Sequence, residues 1–70
     1  SRDEMRALEV LELEPDADFE AVRAAWRRLA KANHPDVRPG DAEAATRFQA
    51  IQAAYDVLRV AEEAKSWRPA

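Results

Sequence analysis

Apolar positions along this chain recur at helical spacing in three separate stretches, with no alternating strand pattern between them. In the first, Met5, Leu8 and Leu11 recur at every third residue, and Val10 and Leu13 widen their face. This predicts a short helix over about 3–12, with Asp3 and Glu4 in the first turn, where negative charge suits the helix dipole. Pro15 is the expected stop.

The second stretch predicts a helix over about 18–33, opened by Asp18 as N-cap. Ala21 stands where a capping box would want glutamate, so only half of that motif is expected. On a helical wheel Val22, Ala25, Leu29 and Ala32 fall on one side. Arg23, Arg27 and Lys31 fall on the other, with Arg28 beside them and Trp26 on the boundary. Pro35 sets the end, because it pushes His34 out of helical geometry.

The third stretch predicts a helix that begins at Asp41, after a Pro39-Gly40 turn, and runs to Leu58 or beyond. Phe48, Ile51, Tyr55 and Leu58 make its apolar stripe, Ala44 and Ala54 share that side, and Val57 lies off it. Phe48 and Tyr55 are expected in the core. No proline or glycine interrupts residues 42–67, so nothing ends this helix before Lys65. The short link between the second and third helices forces them antiparallel. The fold class is therefore all-α: two longer antiparallel helices with a shorter N-terminal one against them.

Composition supports this and narrows the function. Seventy residues allow one domain, near the lower limit for folding unaided. There is no cysteine and one histidine, so neither disulfides nor a cysteine or histidine metal site is expected, and stability must come from packing. No apolar run is long enough to span a membrane. A chain that opens on Ser1 is expected to be a domain excised from a larger protein, and a cytoplasmic setting fits the absence of cysteine.

The formal charge of −3 hides an uneven distribution. Between Val22 and Asn33 every charged residue is basic, namely Arg23, Arg27, Arg28 and Lys31, whereas acids gather before and after that window. Such a segment is either a solvated face or a docking surface for an acidic partner. Enzyme chemistry finds no support. No serine sits beside a plausible base, a single glycine cannot build a phosphate loop, and the carboxylates lie on solvated helical faces. No catalytic residue, cofactor or metal is assigned.

What remains is the tripeptide His34-Pro35-Asp36 at the end of the basic helix. By itself it reads as a helix stop and a polar turn. In its context the chain resembles the J-domain family, whose founding member is DnaJ, from about Leu8 to Leu58. Residues 22–30 (Val-Arg-Ala-Ala-Trp-Arg-Arg-Leu-Ala) are similar to that family's second helix. The tripeptide follows at the family's distance, and Phe48, Ile51, Ala54, Tyr55, Val57 and Leu58 match its third helix. Glu9-Val10-Leu11, Leu13 and Pro15-Asp16-Ala17-Asp18 resemble the first helix end and the next cap. The chain departs from the pattern at Trp26, usually tyrosine, at Asn33, commonly aromatic, and at Glu12, commonly glycine. The aspartate-proline break after Leu58 is missing, so a fourth helix is expected to be fused to the third or truncated, with Trp67 in place of its aromatic.

The resemblance implies a monomeric co-chaperone module that binds a DnaK-type heat-shock chaperone and stimulates its ATP hydrolysis. It assigns the docking surface to His34, Pro35 and Asp36 with Arg23, Trp26, Arg27, Arg28 and Lys31. Asp36 would pair with a chaperone arginine, Pro35 would fix the turn, and His34 would orient the loop. Trp26 has an equal claim to a core position. Two alternatives stay open: a J-like scaffold without stimulating activity, and a helical nucleic-acid binder, which the negative net charge disfavours.

Overall fold

The computed structural model describes residues 1–69, which form three helices: α1 (Arg2–Val10), α2 (Phe19–Asn33) and α3 (Ala42–Ser66). Ser1 opens α1. Its hydroxyl accepts the Glu4 N–H at 3.4 Å and donates to the Glu4 carboxylate at 3.1 Å. The helix ends at Val10, before Glu12 and well before Pro15, so the proline is not its stop. The stop is a backbone device. Glu12 adopts φ 62°, its N–H returns to Glu9 O at 2.9 Å, and the Leu13 N–H returns to Leu8 O at 2.9 Å. These two bonds satisfy helix-end carbonyls in a Schellman arrangement, which ordinarily places glycine at the left-handed position.

Ala7, Leu8 and Leu11 form the inward face of α1, and Leu11 is completely buried. Met5, expected on that face, is 48% exposed. Ala7 takes the inward position instead, and an alanine has too little bulk to mark a core site in a sequence pattern.

In α2, Asp18 Oδ1 accepts the Ala21 N–H at 2.9 Å, the half of the capping box expected. Val22 and Ala25 are buried, and Leu29 is half-buried beside them. Ala32, expected inward, is exposed; the final turn instead directs Asn33 into the interior, where it is 8% exposed. A loop then leads to Asp41, whose carboxylate caps α3 by accepting the Ala44 N–H at 3.0 Å. Gly40 has φ 75° after Pro39, and the Asp41 N–H meets Arg38 O at 3.3 Å. This is the pattern of a type II turn, in which the third residue needs positive φ.

Ala44, Ile51, Ala54 and Leu58 are buried along α3, and both other helices pack on it. α2 and α3 are antiparallel: Phe19 meets Tyr55 and Trp26 meets Gln52 and Tyr55, whereas Asn33 meets Arg47. Tyr55 is half-buried against the main core. Phe48 is also half-buried, but it packs outside that core, against His34. Its expected core position is corrected accordingly.

Past Leu58, α3 continues without a break to Ser66. Nothing among residues 59–66 forces a turn, and no separate fourth helix forms among the described residues. Trp67 is the C-cap residue and is 69% exposed, not packed as a fourth-helix aromatic. Val57 lines a shallow apolar groove with Val10 and Ala7 of α1.

Candidate functional site

α2 stops at Asn33 because His34 is extended (φ −65°, ψ 142°), the conformation that a following proline imposes. From there the chain folds tightly. The His34 carbonyl accepts two backbone bonds, from Val37 N–H at 2.9 Å and Arg38 N–H at 2.8 Å. The His34 ring closes the turn from the other side, since its Nδ1 accepts the Asp36 N–H at 3.1 Å. An Nδ1 that accepts leaves Nε2 as the donor of the ring.

The Asp36 carboxylate points outward. Its Oδ2 lies 3.8 Å from His34 Nδ1, and its side chain is 92% exposed. Pro35 is exposed beside it. The loop thus holds the backbone of Asp36 by bonds on both sides and leaves the carboxylate open to a ligand.

Three contacts fasten this turn to the helices. His34 lies edge-on to Phe48 of α3, with ring centroids 5.2 Å apart and planes at 85°. Arg38 Nε donates to Ala32 O at 3.1 Å, satisfying one of the carbonyls that the end of α2 leaves free. Asn33 is held at both ends: Nδ2 donates to Leu29 O at 2.9 Å, and Oδ1 accepts from Arg47 Nε at 2.8 Å.

The basic residues lie on the outer side of α2. Arg23, Arg27, Arg28 and Lys31 are all exposed, and among the described residues none of them has a carboxylate partner. Arg23 alone is partly engaged, with its guanidinium 5.3 Å from the centroid of the Phe19 ring. Trp26 turns toward α3. It stacks on Tyr55 with centroids 4.2 Å apart and 13° between planes, and its indole N–H donates to Gln52 Oε1. Being half-buried, it belongs partly to the packing between helices and partly to the edge of the basic face.

The tripeptide therefore lies at one end of the basic stripe, and Trp26 lies along its margin. Sequence reasoning missed Asn33 and Arg47 as a pair, Arg38 as a helix cap, Gln52 as the indole acceptor and Phe48 as the support of His34. The two polar pairs join residues on different helices, with no local spacing to reveal them. Phe48 could have been suspected, because it lies near the N-terminus of α3, just across the loop from the end of α2.

A family model described as the DnaJ domain matches residues 7–67. The chain belongs to the DnaJ-domain family. This J-domain is 42% identical over 59 residues to a chaperone protein DnaJ of Finegoldia magna, covering 84% of this chain and 16% of that protein. It is 46% identical over 59 residues to the DnaJ of Lachnospira eligens, again 84% of this chain and 16% of the relative. With the DnaJ of Gluconacetobacter diazotrophicus it shares 50% identity over 50 residues, 71% of this chain and 13% of that one. The chain thus spans about a sixth or less of the length of these relatives. No solved structure gives a significant match. Among the described residues, no helix of the J-domain is long and apolar enough to cross a membrane.

Proposed function

We propose that this J-domain docks on a DnaK-type heat-shock chaperone and stimulates its ATP hydrolysis, without catalytic groups of its own. The observation that carries the reading is the placement of Asp36. Its carboxylate is almost fully exposed on a turn whose backbone is fixed, at the end of a helix face that is basic and unpaired among the described residues.

Asp36 would accept a paired hydrogen bond from an arginine of the chaperone, the geometry in which a carboxylate binds most strongly. Pro35 and the His34 ring lower the entropy lost when the turn is engaged. Arg23, Arg27, Arg28 and Lys31 would meet an acidic surface, accelerating encounter and setting register. Trp26 borders that surface, and its stacking on Tyr55 stiffens the helix that presents it. The domain would act as a monomer in the cytoplasm. Stimulation follows if it binds the hydrolysis-competent arrangement of the chaperone more tightly than the resting one.

The test is single-turnover ATP hydrolysis by a DnaK-type chaperone titrated with this domain and with its Asp36→Asn variant. The parent accelerates hydrolysis and the variant does not, while both melt alike. A parent domain that leaves hydrolysis unchanged would support the scaffold reading, and a variant as active as the parent would remove Asp36 from the mechanism.

A further inference from the structure

Two neighbouring residues of α3 grip two neighbouring residues at the end of α2. Arg47 bonds Asn33 at 2.8 Å, and Phe48 carries the His34 ring at 5.2 Å. Asn33 is the one buried polar residue among the described residues and stands immediately before the tripeptide. Its other end is committed to Leu29 O, so its carboxamide cannot rotate without losing one bond or the other. A helix terminus ordinarily frays, since its last carbonyls lack partners. Here the final residue of α2 is fastened to a separate helix through a charge-assisted bond, which is stronger than a neutral one.

We infer that Asn33 and Arg47 are positioning residues for the docking loop, acting as a latch that keeps the tripeptide in its binding-competent turn. The inference rests on the function proposed above. Neither side chain need touch the chaperone. Asn33 is buried, and Arg47, although exposed, spends its Nε on Asn33. The latch raises the fraction of molecules whose loop is ready to bind. A ligand that binds one conformer has its apparent dissociation constant divided by the fraction of that conformer. Opening the latch therefore weakens half-saturation and leaves the stimulated rate at saturation unchanged. A direct contact made only in the activated chaperone would lower that maximal rate instead.

The experiment uses Arg47→Ala, Asn33→Ala, their double variant and Arg47→Lys in chaperone titrations, with amide hydrogen exchange measured on each free domain. Each single alanine variant should raise the half-saturating concentration about three- to tenfold, in the lower part of the range that coupled neighbours show. The double variant should be no worse than the weaker single one, and Arg47→Lys should recover part of the loss. Exchange at the Val37 and Arg38 amides, which bond the His34 carbonyl, should speed up while buried α3 amides such as Ile51 keep their protection. Additive losses, a lower maximal rate, or unchanged exchange at Val37 and Arg38 would overturn the latch. If the parent fails to stimulate at all, the functional reading falls, and the exchange data still decide whether Arg47 holds the loop.

Discussion

His34 rests edge-on against Phe48, with ring centroids 5.2 Å apart and the planes at 85°. This is the T-shaped arrangement in which the positive edge of one ring meets the negative face of another. It gives Phe48 a role apart from general packing. The side chain is half-buried and lies outside the main apolar cluster, so its removal opens no sealed cavity.

Phe48→Ala should accordingly cost about 1–2 kcal/mol, less than the roughly 3–5 kcal/mol of a fully buried phenylalanine. The domain should remain folded at 25 °C by circular dichroism, with a lowered melting temperature. Chaperone stimulation should fall further than the stability does, because His34 loses its support. A variant that melts as the parent does and stimulates normally would show that the ring contact does nothing for the loop.

Arg27→Glu reverses a charge in the middle of the exposed basic face. Binding kinetics at low salt should show a several-fold slower association, and the gap from the parent should shrink as salt screens the field. Its thermal melt should barely move, since a surface substitution usually changes stability by less than about 0.5 kcal/mol. An unchanged association rate at low salt would place the interface away from α2.

Glu12 sits at φ 62° in the turn that ends α1. A side chain there is strained against its own backbone, and glycine removes the strain while giving back some unfolded-state entropy. Glu12→Gly should stabilise the domain by about 0.5–1 kcal/mol. Denaturant unfolding reads this as a raised midpoint at constant slope. Chaperone stimulation should be unaffected, because Glu12, although it lines a cleft with Asn33 and Arg47, makes no side-chain hydrogen bond or ion pair to either among the described residues.

The legibility of this molecule in its sequence followed what was local. Asp18 and Asp41 announced helix starts by type and position, and both side chains accept the bonds expected of caps. The tripeptide was visible because a short turn carries its chemistry in consecutive letters. Met5 and Ala32 misled because periodicity marks a face only to within a side chain or so. At each of those places a neighbour, Ala7 or Asn33, turns inward instead. The end of α1 was hidden because glutamate occupies a left-handed position that only glycine or asparagine would have advertised. The Asn33–Arg47 and Trp26–Gln52 bonds were out of reach, since each depends on how two helices meet.

Because α1 and α2 each pack on α3, the order of assembly follows from loop lengths. The α2–loop–α3 hairpin closes over a short connection, and its Asn33–Arg47 and Trp26–Gln52 contacts span 14 and 26 residues. Joining α1 to the far half of α3 requires a much longer stretch of chain to be closed, at greater entropic cost. On this ground the hairpin should form first and α1 should dock late. Substitutions in α1 should chiefly hasten unfolding, whereas those between α2 and α3 should slow folding. A newly made chain would accordingly hold the His34–Asp36 turn in place before α1 has sealed the core.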